Sequence, residues 1–305
     1  MKTIKLGNSL LEVPAIAVGC MRINSLEKNE AEHFVQTALE LGANFFDHAD
    51  IYGGGECEEM FADAIHMSDD IREKIILQSK CGIRKGMFDF SKEHILESVD
   101  GILKRLNTDY LDVLLLHRPD TLVEPEEVAE AFDTLESTGK VRYFGVSNQN
   151  PMQIELLKKS VKQTIVANQL QLSITNANMI SNGFNVNMEN DSAINRDGSI
   201  LDYCRLNDIT IQPWSPFQYG FFEGVFLGND KFPELNQTIN EIADKYEVSN
   251  TTIAIAWLLR HPANMQPVIG TMNINRLTDC CKASDVHLSR VEWYEIFRAA
   301  GNVLP

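Results

Sequence analysis

Leu111-Asp112-Val113-Leu114-Leu115-Leu116-His117 is the stretch from which the fold is read. It is a short, nearly unbroken apolar run, the pattern of a strand covered on both faces. Strands of that kind belong to parallel sheets flanked by helices. The neighbouring sequence agrees. Before it, Ser91 reads as the N-cap of a helix through Arg105, with Ile95, Val99, Ile102 and Leu106 on one face. After it, Pro125 opens a helix to about Ser137, and Gly139 stops it.

The same alternation repeats outward in both directions. Further strands are predicted at 16–18, 44–46, 75–79, 141–146, 165–167, 209–213 and 266–269. Further helices are predicted at 29–41, 56–66, 152–159, 200–207, 235–247, 249–260, 274–283 and 289–299. Residues 3–13 read as a hairpin around Gly7-Asn8-Ser9. No linker or low-complexity boundary divides the 305 residues. The expected fold is α/β, a single (β/α)8 TIM barrel over 1–305 with an N-terminal β-hairpin cap. A doubly wound sheet would often carry GxGxxG after its first strand, where this chain has Gly19-Cys20-Met21-Arg22. Gly53-Gly54-Gly55 lacks the Lys-Ser/Thr of a phosphate-binding P-loop.

Composition narrows the function classes. Lys plus Arg total 27 against 43 Asp plus Glu, a formal charge of −16. That field repels nucleic acid and anionic membrane surfaces, so neither is an expected partner. At 44% hydrophobic and 23% charged, the chain reads as an ordinary globule. No apolar run reaches the ~18 residues of a spanning helix. The N-terminal segment is broken by Gly7, Asn8 and Pro14 and does not read as a signal peptide. Cys20, Cys57, Cys81, Cys204, Cys280 and Cys281 form no CxxC pair, which predicts reduced thiols in a cytoplasmic protein.

In such a barrel the site lies at the C-terminal ends of the strands. Polar residues recur there: Asp47 and Tyr52, Ser79-Lys80, His117, Ser147-Asn148, Asn168-Gln169, Trp214-Ser215 and Gly270-Thr271. A metal-dependent hydrolase would need several ligands from neighbouring strand ends. Only His48, Asp50 and His117 are candidates, because His33, His66, His94, His261 and His287 fall in or beside helical stretches. No metal site is expected.

Three motifs carry a resemblance. Asp47-His48-Ala49-Asp50-Ile51-Tyr52-Gly53 resembles the D-x-A-x-x-Y-G signature of the aldo-keto reductases. Leu111 to His117 resembles their fourth strand, and Gly139-Lys140-Val141-Arg142-Tyr143-Phe144-Gly145-Val146-Ser147-Asn148 is similar to their G-K-V-R-x-x-G-V-S-N segment. The likeness runs from about residue 3 to 285 and is closest to the bacterial oxidoreductase branch, through His117-Arg118-Pro119-Asp120 and Val128-Ala129-Glu130-Ala131-Phe132.

The resemblance implies reduction of an aldehyde or ketone to an alcohol, or the reverse, with a nicotinamide cofactor. It makes Tyr52 the general acid, with Lys80 lowering its pKa, Asp47 holding Lys80, and His117 orienting the substrate carbonyl. It assigns Ser147, Asn148 and Gln169 to the nicotinamide carboxamide and Trp214 to the nicotinamide face. Ser215, Pro216, Phe217 and Gln218 would follow the pyrophosphate, Gly19, Met21 and Arg22 would lie near the nicotinamide ribose, and Asp47 and Gly270 are also expected among the cofactor-binding residues. At the adenine end, Thr271 and Arg276 match the family's 2′-phosphate contacts. Gly270 stands where many members have Lys, and Cys280 where they have Asn. The expected cofactor is NADP(H), with NAD(H) the other candidate, since Arg276 alone can grip a phosphate with two hydrogen bonds. In a chain of −16, the site must create a local positive field for that anion.

The expected partner is a small carbonyl or alcohol substrate; the sequence leaves the oligomeric state open. The alternative function is a non-catalytic NADP-binding, redox-sensing subunit on the same barrel, which would bind cofactor with negligible turnover. The asparagine-rich stretch 173–199 follows the sixth strand and is expected to be a loop on the catalytic face. It reads either as a lid over cofactor or substrate or as a mobile surface insertion.

Overall fold

In the computed structural model, residues 1–196 and 198–303 are described; Asp197, Leu304 and Pro305 lie outside them. The barrel strands are β1 (Ala17–Gly19), β2 (Phe45–Asp47), β3 (Ile76–Cys81), β4 (Leu111–Leu116), β5 (Val141–Ser147), β6 (Ile165–Gln171), β7 (Thr210–Trp214) and β8 (Val268–Ile269). Each is parallel to the next, and β8 closes onto β1 through Val268 beside Ala17. The predicted run in β4 is buried at every position. The (β/α)8 barrel is therefore the observed fold.

The first helix after a strand, Lys28–Glu40, is closed at its start by a capping box of Glu27 and Glu30. Ser91 caps Lys92–Leu106, as its sequence suggests, by accepting from the His94 amide. The hairpin Thr3–Lys5/Glu12–Pro14 pairs Ile4 with Val13. Leu6 and Val13 pack with Ala17, Phe45, Ile76, Val113, Leu115, Val166, Ala167 and Val268, so the hairpin plugs the barrel floor. The intervening residues of the strands, Leu114 and Leu116 among them, pack outward in a second cluster against the helices.

This period of two positions the site. Counting up from Phe45, Ile76, Val113 and Ala167 by twos reaches Asp47, Gln78, Lys80, His117 and Gln169 on the inward face. Gly145 leaves room for that interior: a Cβ there would lie 2.6 Å from Leu115 Cδ2 and 2.7 Å from Ala167 O.

Some elements escape the sequence pattern. β3 runs on to Cys81, so Lys80 lies within the strand rather than beyond it. Two short hairpins, Ile83–Arg84/Met87–Phe88 and Gln218–Tyr219/Gly224–Val225, stand in the loops after β3 and β7. The described residues of the 173–199 stretch are mostly irregular, with short helical turns at Asn178–Ser181, Asn182–Phe184 and Asp191–Ala193. Its Phe184 packs on Tyr294 and Phe297, and Asn302 donates to Ile174 O, so this part docks on the C-terminal helix Arg290–Ala299.

The outer wall holds a buried ion pair. Arg72 donates to Asp112 Oδ2 at 2.7 Å, to Ile75 O and to Tyr110 O, while Asp112 also accepts the Leu77 amide. Both side chains are nearly inaccessible, at 5% and 3% exposure. Asp112 Oδ1 also accepts from the exposed Arg142 Nη1 at 3.1 Å, so Arg72→Met removes the buried one of two cations, and urea unfolding is expected to show a loss of about 2 kcal/mol. A loss under 1 kcal/mol would contradict that reading.

Candidate active site

Lys80 is fully buried, which is rare for a lysine without partners. Its Nζ donates to Asp47 Oδ2 at 2.8 Å, to His48 O at 2.7 Å and to Tyr52 Oη at 3.1 Å. All three ammonium hydrogens are thus used. Tyr52 reaches this point from a tight turn just past β2, Tyr52–Gly55, in which Gly53, Gly54 and Gly55 have φ of +58°, +67° and +103°. A Cβ at Gly53 would come 2.7 Å from Asn24 Nδ2, so the glycine run serves as a turn that delivers Tyr52.

The electrostatics correct one expectation. Burial raises the Tyr52 phenol above its usual pKa, and the nearby Lys80 ammonium only partly opposes this. Burial also works against the Lys80 charge, but Asp47 and Tyr52 outweigh it and hold the ammonium above its usual range. His117 is held well below the usual histidine range by burial and by Lys80 and Arg118, so its ring is neutral near pH 7. It meets Tyr52 edge-on, with ring centroids 6.0 Å apart, and its buried Nδ1 has no partner among the described residues.

The residues expected around the nicotinamide form one linked group. Ser147 Oγ donates to Gln169 O at 3.1 Å, and Asn148 Nδ2 donates to Ser147 Oγ at 2.7 Å. Asn148 takes a left-handed φ of +56°, and its Oδ1 accepts from Trp214 Nε1 at 3.1 Å. Gln169 Nε2 faces Asp47 Oδ1 at 3.1 Å. Ser215 follows with φ +51°, Pro216 is buried, and Phe217 O accepts from the Phe226 amide. Gln218 O accepts from Ser173 Oγ and Thr175 Oγ1, which ties the root of the 173–199 stretch to this segment.

The remaining expected residues sit at the ends of β1 and β8. Gly19 packs against β8, where a Cβ would meet Ile269 O at 3.1 Å. Met21 and Arg22 are exposed in the following loop. Gly270 is open, with nothing within 4 Å of a Cβ. Thr271 Oγ1 accepts the Asn273 amide, and Asn273 caps the helix Ile274–Lys282 through the Arg276 amide. The Arg276 side chain is exposed and makes no hydrogen bond or ion pair among the described residues. Cys280 is fully buried.

The hydrolase residues part company. His48 packs edge-on against Phe61, with ring centroids 4.6 Å apart. Asp50 sits beside the Glu58–Arg105 pair, and burial together with the Glu58 carboxylate pushes it up to about 7. Among the described residues no cluster of three His, Cys, Asp or Glu could hold a metal.

Several residues escaped the sequence reading. Gln78 and Gln212 lie beside Asp47 and Gln169, and the period-two count along β3 and β7 would have found both. Arg118 is half-buried, 5.7 Å from the Trp214 ring, with no hydrogen bond or ion pair among the described residues. Phe222 stacks near Trp214 at 6.0 Å and Phe221 packs on Phe222; both come from a hairpin that sequence periodicity did not reveal.

A parallel barrel with a lysine, aspartate, tyrosine and histidine gathered at the C-terminal ends of its strands has the layout of a barrel oxidoreductase. The aldo/keto reductase family model matches residues 15–300, and the chain belongs to that family. It is 35% identical to the uncharacterized oxidoreductase YcsN of Bacillus subtilis, over 98% of each chain. It is 32% identical to a 6-dehydroglucose reductase of Agrobacterium fabrum, again over 98% of each. Among solved structures it is similar to the thermostable aldo-keto reductase Tm1743, crystallised with the inhibitor epalrestat. The TM-score is 0.79 at 27% identity, covering 98% of this chain and 100% of that one.

Proposed function

We propose that residues 1–305 form one catalytic domain that reduces an aldehyde or ketone to an alcohol with NADP(H). The observation that carries this reading is the Tyr52 hydroxyl at 3.1 Å from a buried Lys80 whose charge Asp47 sustains. When bound, the nicotinamide supplies a hydride. Tyr52 supplies the proton from Oη to the carbonyl oxygen. Its raised pKa keeps the phenol protonated through neutral pH, as a proton donor must be. Lys80 stabilises the phenolate left behind, and Asp47 keeps Lys80 charged. His117, neutral and beside Tyr52, donates a hydrogen bond that orients the carbonyl.

The chain's donors fit a dinucleotide. Thr271, the capped helix start at Ile274 and the unpaired Arg276 together suit a 2′-phosphate. Trp214, held by Asn148, offers a flat face for the nicotinamide, and Gln169, Ser147 and Asn148 lie beside it. Met21 and Arg22 border the ribose end. Arg118 is the cation available to substrate oxygens beyond the carbonyl. A polyhydroxylated aldehyde, the class named for the Agrobacterium relative, would present such oxygens. Six buried cysteines, all free, support a cytoplasmic setting.

Cofactor choice gives a separate test. Arg276→Ala is expected to weaken NADPH binding about 10- to 100-fold while NADH binding changes less than threefold. Titration by protein fluorescence measures both, and equal losses for the two cofactors would defeat the 2′-phosphate assignment. The function itself is tested by following NADPH oxidation over a panel of aldehydes that includes sugar aldehydes.

A further inference from the structure

The second oxygen of Asp47 has partners that the proton-transfer chemistry does not use. Lys80 takes Oδ2, while Oδ1 accepts from Gln78 Nε2 at 2.6 Å and from Gln169 Nε2 at 3.1 Å. Behind these amides lies Gln212. Gln78 and Gln212 exchange two hydrogen bonds, Gln78 Nε2 to Gln212 Oε1 at 2.9 Å and Gln212 Nε2 to Gln78 Oε1 at 3.0 Å. Gln169 Nε2 also donates to Gln212 Oε1, at 3.3 Å. The chain continues downward: Gln212 Nε2 donates to Gln266 Oε1 at 3.0 Å, and Gln266 Nε2 to Pro14 O at 2.8 Å. Four glutamine amides therefore run from the carboxylate to the hairpin that plugs the floor, and none is more than 4% exposed.

Sheet register builds this arrangement. Asp47 lies directly beside Gln78 across β2 and β3, and Gln169 beside Gln212 across β6 and β7. The orientation of each amide is dictated by obligate acceptors. Asp47 can only accept, so Gln78 must turn its NH2 upward and its carbonyl toward Gln212. Pro14 O can only accept, so Gln266 must turn its NH2 downward and offer its carbonyl to Gln212. The Gln212 NH2 serves both carbonyls. One consistent pattern satisfies every donor hydrogen of Gln78 and Gln212. Such a buried network is costly if any member is left unsatisfied, while leucines would fill the same space.

Geometry explains what the network does for Asp47. The terminal torsion of an aspartate is soft, so Lys80 alone would fix one oxygen and leave the carboxylate plane free to swing. Amide donors on Oδ1 close that freedom from the opposite side. We propose that Gln78 and Gln212 are positioning residues for the reduction. They lock the Asp47 carboxylate with Oδ2 toward Lys80, and thereby fix Lys80 Nζ against Tyr52 Oη. The proposal rests on the reading of Tyr52 as proton donor. A consequence follows for Gln169: its NH2 is committed to Asp47 and Gln212, so it offers the nicotinamide carboxamide only its carbonyl oxygen.

Gln78→Met and Gln266→Met separate positioning from packing, because each removes buried amide hydrogen bonds but only Gln78 touches Asp47. Tyr52→Phe is measured alongside, with kcat, KM, cofactor affinity by fluorescence and urea unfolding for all three. Gln78→Met is expected to lower kcat by about 10-fold or more, with KM and cofactor affinity within twofold. Gln266→Met is expected to unfold at similarly reduced urea and keep kcat within threefold. If Gln78→Met does not fold, Gln78→Asn, which draws the amide back by one methylene, is expected to show the same kcat loss. Wild-type kcat in the Gln78 variants, or an equal loss in Gln266→Met, overturns the proposal while an inactive Tyr52→Phe leaves the functional reading standing. A fully active Tyr52→Phe overturns both.

Discussion

Tyr52→Phe is expected to reduce carbonyl turnover by about 10²- to 10⁴-fold while cofactor affinity stays within twofold. The substitution removes one oxygen and its proton and keeps the ring that meets His117 edge-on. Nothing in the expected cofactor seat depends on that hydroxyl, because Ser147, Asn148, Gln169 and Trp214 hold one another without it. The pH dependence has a definite sign. A phenol whose pKa is raised stays protonated to higher pH. Reduction by the wild type is therefore expected to remain flat through neutrality and to fall only above the usual tyrosine range. His117, held well below its usual value, does not titrate within that plateau. A rate that drops between pH 6 and 8 would contradict both assignments.

Lys80→Met is the second large effect, and it acts on stability and activity together. Lys80 is wholly buried and Asp47 is 3% exposed by its side chain. Removing the ammonium leaves a buried carboxylate without its cation, at a cost of about 3–5 kcal/mol in urea unfolding. The same change raises the Tyr52 pKa further, since Lys80 is the group that opposes burial there, and turnover should fall at least as far as in Tyr52→Phe. Adding Asp47→Asn removes the stranded charge. The double variant is expected to regain much of the stability and none of the turnover. Recovery of both would mean that the pair is structural only.

The sequence carried the barrel because its strands are written in the two ways a parallel barrel allows. β4 is buried on both faces and apolar but for Asp112, while β2 and β3 carry polar residues at inward positions that only a closed interior can use. The tetrad Asp47, Tyr52, Lys80 and His117 was legible because each member follows or ends a recognisable strand. Three things were not legible. The Tyr52 pKa depends on how far the turn at Gly53 sinks the phenol, and burial there outweighs the neighbouring cation. The roles of Gln78, Gln212 and Gln266 depend on register between strands far apart in sequence, which no local pattern encodes. The hairpin that brings Phe222 to Trp214 needs Gly220 and Gly224 at positive φ, and Phe222 itself takes φ +60°. Tertiary contacts hold that conformation against local preference.

Isotope transfer tests the central claim most directly. NADPH deuterated at the transferring position is mixed with the protein and a panel of aldehydes, and the alcohol products are examined by mass spectrometry. The account predicts one deuterium on the carbinol carbon for each NADPH consumed, with deuterated alcohol accumulating about 10²- to 10⁴-fold more slowly with Tyr52→Phe than with the wild type. Tight cofactor binding without deuterated alcohol from any aldehyde would contradict it and identify the barrel as a binding subunit.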